Sequence, residues 1–348
     1  MLSSLPFTFS FLFLMMFGTL FSISSMHWLG IWAGLELNLI GFLPLLIYQK
    51  TSSESESAVK YFIIQAMGSS LLMFGSLNLY TMSFTWEVIN FNQSTFYFTI
   101  ILMSLLMKVG MFPFYYWLPS VMAGLHWFSC MLLATWQKIA PLFLMVALLE
   151  SSTITWMSYI LCLFAAGASI IGGIGGMNQT QIRALLAYSS IGHLGWITFA
   201  STQGSWSMKM YLTIYIIITG SIFMFLWNSN LNMIKVSTML ANSSKNLITT
   251  MILFLSLAGL PPMLGFMSKW AVITNATSSV LWLPLFILIL GSVLSLFYYL
   301  SLSYSLFLSL PKTLSASSQK MNKVMILLLM LNLWGGLILL TENFLFTY

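Results

Sequence analysis

Residues 102–117 read LMSLLMKVGMFPFYYW, an apolar run that meets Lys108, Gly110 and Pro113 in quick succession. A second stretch of the same build, LSLAGLPPMLGFMSKW at 255–270, holds Gly259, Pro261, Pro262 and Lys269. Proline has no backbone donor and its ring clashes with the preceding turn, so each stretch predicts a helix that breaks partway along. Carbonyls released by a break survive in hydrocarbon only against protein or trapped water, so each break also predicts a polar cavity.

Both stretches lie in a chain built for lipid. Of its 348 residues 59% are hydrophobic and 5% charged, with a mean hydropathy of +0.95, against about 25% charged in soluble domains. Apolar runs of about 20 residues, enough to cross about 30 Å of hydrocarbon, recur from end to end. Breaks at polar and Gly/Pro clusters predict about eleven spans, near 4–24, 27–48, 59–82, 95–113, 125–148, 153–176, 180–201, 209–231, 246–272, 277–308 and 323–342. Backbone groups in lipid must satisfy one another, so the spans are helices. No stretch is polar enough to form an aqueous domain.

The expected fold is therefore an all-α polytopic membrane protein in one domain. The two breaks are five helices apart, and Lys108 precedes its proline whereas Lys269 follows its pair. That spacing predicts two inverted five-helix repeats, about 4–148 and 153–308, with an extra C-terminal helix near 323–342. The N-terminal segment has no basic region ahead of its apolar run and reads as a retained first span. With eleven helices, Lys50, Lys60, Arg183, Lys235, Lys245, Lys312, Lys320 and Lys323 share the side of the N-terminus, against Lys209 on the other. The positive-inside rule then places the N-terminus in the cytoplasm or its organellar equivalent and Tyr348 opposite.

Loop charges, among them Glu54, Glu56, Glu87, Glu150 and Glu342, belong to solvent or headgroups. Four ionisable residues remain near mid-span: Glu36 in WLGIWAGLELNL, Lys108, Lys138 in LLATWQKIAPLF, and Lys269. A charge at the bilayer centre costs about 2.5–3.5 kcal/mol and persists mainly where it serves an ion or proton path. A lysine that gains and loses an acidic neighbour is a proton switch. A hundredfold change in proton affinity is about 2.7 kcal/mol, which matches the roughly 2.3 kcal/mol needed to move one charge through 100 mV. The competing role, locking helices through ion pairs, cannot satisfy three lysines with one acid.

His193, in AYSSIGHLGWITFA, is placed to relay protons between Lys138 and Lys269, or to serve as a hydrogen-bonded structural histidine. His27 and His126 fall near helix ends and read as interfacial. Cys130 and Cys162 lie in apolar runs as packing residues. GASIIGGIGGMNQ at 167–179 has no strand before it, so it reads as close helix packing and not as a dinucleotide fingerprint.

The ordered series MKVGMFPFYYWLPSVMAGL, TWQKIAPL, NQTQIRALLAYSSIGHLGW and SLAGLPPMLGFMSKW, preceded by WLGIWAGLELNLIGFLPLL, resembles the proton-translocating antiporter-like family of respiratory complex I over essentially the whole chain. High methionine content and the absence of aspartate resemble animal mitochondrial coding. The resemblance implies that Glu36 is the acid that modulates Lys108, Lys138 the connecting lysine, His193 the central histidine and Lys269 the terminal lysine. It implies a proton-translocating subunit in the mitochondrial inner membrane, N-terminus in the matrix and C-terminus in the intermembrane space. Its partners would be other membrane-arm subunits, further antiporter-like subunits among them, and lipids, with no nucleic acid. No cofactor is expected on this chain: FMN, iron–sulfur clusters and ubiquinone would belong to partner subunits. The sequence departs from the family at Tyr115 and Ser120, where histidine and an acid are common. An autonomous cation/proton antiporter and a purely structural scaffold are the other readings the residues allow.

Overall fold

Gly110 and Gly259 adopt φ of +78° and +83°, in the left-handed region that glycine enters without a Cβ penalty. Each ends a helix in the same way. Met111 N–H donates to Leu106 O at 3.1 Å and Gly110 N–H to Met107 O at 3.3 Å; Leu260 N–H donates to Leu255 O at 3.4 Å and Gly259 N–H to Ser256 O at 3.2 Å. This nested pair of bonds around a left-handed glycine is the Schellman cap, which satisfies carbonyls that the helix end exposes. Both expected breaks are therefore present.

The computed structural model describes residues 7–47, 50–87, 95–151, 155–228, 244–261, 263–277, 281–313, 329–330 and 332–333. Among them the chain forms thirteen α-helices: α1 (Thr8–Ser24), α2 (Trp28–Leu46), α3 (Ser52–Ser83), α4 (Thr95–Val109), α5 (Trp117–Gly124), α6 (Trp127–Ala134), α7 (Trp136–Ser151), α8 (Thr155–Met177), α9 (Ile182–Gln203), α10 (Ser205–Asn228), α11 (Ser244–Ala258), α12 (Leu264–Ala276) and α13 (Trp282–Thr313). Six helical stretches are long and apolar enough to cross a membrane, and α1, α4 and α11 are shorter apolar helices. The expected eleventh span falls outside the described residues apart from 329–330 and 332–333, which are helical. Lys235, Lys320, Lys323 and Glu342 also lie outside them.

Two differences from the expected spans have local causes. The fifth span is two helices, α6 and α7, parted at Thr135, whose hydroxyl bonds back to Met131 O at 2.6 Å. Pro141 inside α7 cannot donate to the carbonyl four residues earlier, which weakens the first turns of that helix. The segment after Pro113, expected to be connection, forms α5, whose Trp117 and Leu118 are buried.

The chain divides after Phe164 into two compact units. In the first, α1 lies so close to α2 that a Cβ on Gly18 would stand 2.7 Å from Gly34 O. Small residues at such a crossing let backbones approach, which drives association where lipid offers no hydrophobic gain. Helix α3 packs on α2, α4 and α5, and α4 packs on α7. In the second unit α9 packs on α10, α12 and α13, and α11 on α13. The glycine run of α8 works as expected: a Cβ on Gly172 would meet Gly192 N at 2.6 Å, and one on Gly173 would meet Gly291 O at 3.1 Å.

Outward faces are apolar. On α1 the rings of Phe13, Phe17 and Phe21 stack at 6.2 and 6.1 Å while remaining exposed. A continuous aromatic face of this kind suits hydrocarbon and not water. Helix α3, at 32 residues, is about 48 Å long and outruns the hydrocarbon by a few turns. Its start is capped by Thr51, which accepts from Glu54 N–H at 3.3 Å, and carries an exposed Lys60–Glu56 ion pair at 2.6 Å. Cys130 and Cys162 are buried and unbridged.

Candidate functional site

Lys108 sits in the last turn of α4, one residue before the helix ends at Val109. A helix C-terminus carries partial negative charge, which favours a cation there. Neighbouring side chains take up its loose carbonyls: Gln65 Nε2 on α3 donates to Lys108 O at 3.1 Å, and Trp117 Nε1 on α5 donates to Met107 O at 3.2 Å. The lysine stem lies over Gly68, where a Cβ would stand 3.0 Å from Lys108 Cγ. Lys108 is 6% exposed.

Its side chain lines a small cavity with Leu35, Asn38, Leu39, Tyr61, Gln65, Gln137 and Pro141, with room for about one water. Glu36, on α2, acts electrostatically on Lys108, yet no ion pair within 4.0 Å joins them. The expected acid–lysine partners are therefore neighbours held apart. Across the cavity wall Asn38 Nδ2 donates to Gln137 Oε1 at 2.8 Å and Gln137 Nε2 returns a bond to Asn38 Oδ1 at 3.0 Å. Tyr61 donates to the same Gln137 oxygen at 3.4 Å. Lys138 follows Gln137 in the first turn of α7 and is 3% exposed.

The second unit has a cavity of similar size that brings together His193 and Lys269, with Ser169, Ser189, Ser292, Ser295 and Tyr298. Lys269 is on α12, but its ammonium reaches back across the break to donate to Ala258 O, the last residue of α11, at 2.9 Å. Gly259 makes room for it, since a Cβ there would lie 3.1 Å from Lys269 Nζ. Lys269 thus occupies the same electrostatic position as Lys108, at the negative end of a half-helix.

His193 is fixed by α10: its Nδ1 is 3.0 Å from Tyr211 Oη, and its ring lies 5.4 Å from that of Tyr215. Ser189 and Ser190 donate to Leu186 and Ala187 carbonyls one turn back, which leaves their oxygens as acceptors. Tyr298 is buried against Tyr299, their ring centroids 4.6 Å apart. A small cavity lined by hydroxyls, an imidazole and an ammonium is where buried water belongs. His27 and His126 stand at the N-caps of α2 and α6, and His126 Nδ1 accepts from Phe128 N–H at 3.4 Å.

Glu36, Lys108 and Lys138 therefore belong to the first unit, and His193 and Lys269 share one cavity in the second. Asn38, Gln65, Gln137, Tyr211 and Tyr298 were not singled out by charge or motif. Uncharged amides and phenols inside apolar spans were the available signal, because a polar group in lipid needs a partner.

Comparison with known proteins gives the family of the chain. Residues 25–297 match the family described as NADH:quinone oxidoreductase/Mrp antiporter, TM. The chain is 36% identical over 339 residues to NADH-ubiquinone oxidoreductase chain 2 of Locusta migratoria, covering 96% of both chains. In fold it is similar to a chain of respiratory complex I from Thermus thermophilus, with TM-score 0.79 and 23% identity over 95% of this chain and 79% of that one. It is also similar to a chain of the membrane-bound sulfane sulfur reductase, an archaeal respiratory membrane complex, with TM-score 0.84 and 20% identity over 94% of this chain and 72% of that one. The chain belongs to the NADH:quinone oxidoreductase/Mrp antiporter transmembrane family, in its NADH-ubiquinone oxidoreductase chain 2 branch.

Proposed function

We propose that Glu36, Lys108, Lys138, His193 and Lys269 form the path by which this chain, a core membrane subunit of respiratory complex I, translocates protons. The observation that carries this reading is the repeated break. Two helices end on left-handed glycines with the same cap, and a lysine stands at the negative end of each beside a small polar cavity, Lys108 from α4 itself and Lys269 from α12. Broken helices whose ends face ionisable groups are the usual build of ion pathways in membranes.

Glu36 and Lys108 act as the switch. When the carboxylate approaches, the lysine holds its proton; when it withdraws, the proton is released. Lys138 and His193 then carry it along the midplane to Lys269, which lets it go. Electron transfer from NADH to ubiquinone in partner subunits drives the cycle, so the chain works as part of a proton-translocating NADH:ubiquinone reductase. FMN, iron–sulfur clusters and ubiquinone are assigned to those partners and no redox group to this chain. Its neighbours are other membrane-arm subunits, among them further antiporter-like ones, and lipids.

The same reading includes eleven transmembrane helices, two inverted five-helix repeats and a C-terminal helix. It locates the chain in the mitochondrial inner membrane with the N-terminus in the matrix. The asymmetry of loop lysines supports that orientation.

The test is Lys108→Met in the intact complex, read as protons translocated per electron in sealed vesicles. Assembly should persist while coupled turnover falls by about tenfold or more, a barrier increase of at least about 1.4 kcal/mol. An unaltered ratio would overturn the pathway and leave a scaffold. A chain that separates from NADH-oxidising activity on gentle solubilisation would overturn its place in the complex.

A further inference from the structure

The Lys108 cavity is walled on the side of α7 by an amide, Gln137, the residue just before Lys138. Asn38 and Gln137 exchange bonds of 2.8 and 3.0 Å, and Tyr61 occupies the remaining side of Gln137 Oε1. An amide neither gains nor loses a proton near neutral pH, so a proton crosses this wall only along water bound to the amides. While the amides hold each other, both acceptor sites of Gln137 Oε1 and one of the two on Asn38 Oδ1 are taken. Lys108 meanwhile lines the same cavity, and its ammonium makes no hydrogen bond or ion pair among the described residues. A buried cation in that state needs solvent, and the cavity is large enough for about one water.

We propose that the Asn38–Gln137 amide pair is a water gate between Lys108 and Lys138. Closed, the pair leaves the cavity isolated. Parted, it exposes two carbonyl oxygens and two amide groups, enough to hold a short chain of waters from the Lys108 cavity to the turn that carries Lys138. The pair bridges α2, which also bears Glu36, and α7, which bears Lys138. A small shift of α2 against α7 therefore moves the acid and opens the gate together. Asn38 and Gln137 are positioning residues on this account, since they hold water and do not carry the charge themselves.

The inference rests on the proton path proposed above, and its test separates the two. The intact complex would carry Asn38→Leu, Gln137→Leu, both together, or Lys108→Met, each read for assembly and for protons per electron. Replacing both members of a buried hydrogen-bonded pair by apolar groups is close to neutral for folding, whereas removing one strands the other. If the pair only holds helices together, the double variant recovers what the single variants lose. As a gate, the double variant assembles but pumps as poorly as Lys108→Met, because its wall is now dry.

A double variant that pumps normally beside an impaired Lys108→Met overturns the gate and leaves the path standing. Normal pumping in both overturns the path. Should the double variant fail to assemble, Gln137→Met removes the amide at similar length and is expected to lower the ratio in an assembled complex. Normal pumping by Gln137→Met, or its own failure to assemble, assigns the pair to folding and overturns the gate.

Discussion

The ammonium of Lys269 donates a 2.9 Å hydrogen bond to the carbonyl of Ala258, across the break between α11 and α12. One side chain is thus both the cap of a half-helix and a wall of the cavity that holds His193. Stability and the proposed proton transfer therefore meet at the same atom. Lys269→Met should leave that carbonyl without its donor and cost about 1–3 kcal/mol, with loss of pumping. Lys269→Arg keeps a donor that never releases its proton. It is expected to restore more of the thermal stability of the solubilised complex than of the proton-to-electron ratio.

Gly259→Ala carries a steric cost from two sources. Its φ of +83° penalises any Cβ by about 1–2 kcal/mol, and that Cβ would crowd Lys269 Nζ at 3.1 Å. Gly220→Ala, inside α10 with nothing within 4 Å of the new atom, should instead be neutral or gain up to about 1 kcal/mol. Comparing the melting of the two solubilised variants checks both signs.

Gln65→Leu removes the donor to Lys108 O from a buried site at the end of α4. The stranded carbonyl should cost about 1–3 kcal/mol. The effect would appear as earlier release of this chain on heating, before any change in peripheral NADH oxidation.

Tyr211→Phe keeps the buried ring and deletes the hydroxyl 3.0 Å from His193 Nδ1. Assembly should change little, since one neutral hydrogen bond is worth about 1 kcal/mol net. The imidazole would lose the partner that orients it and sets which nitrogen carries the proton. Slower coupled turnover with an increased solvent deuterium isotope effect is the expected reading; an unchanged isotope effect would remove Tyr211 from the relay.

Local chemistry made much of this legible in advance. Proline after glycine in an apolar run announced the breaks at Pro113 and Pro261, and the rarity of charge in lipid singled out Glu36, Lys108, Lys138 and Lys269. The interruption at Thr135 escaped because threonine is an ordinary helix residue in lipid when its hydroxyl bonds one turn back, as it does to Met131 O. Helix α5 escaped because its apolar residues are shared with the connection after the break.

What the sequence determined by itself was the class of the fold and the identity of its charges: a chain of spans, two broken helices and four ionisable residues priced by the dielectric of the bilayer. Which residue faces which was settled by the packing of the helices. Asn38 and Gln137 are 99 residues apart, and Lys269 meets Ala258 only because the break folds α12 back beside the end of α11. Each polar group in lipid requires a partner, a rule readable from composition. Which partner it finds depends on how the helices cross, through contacts far apart in the chain that no local pattern records.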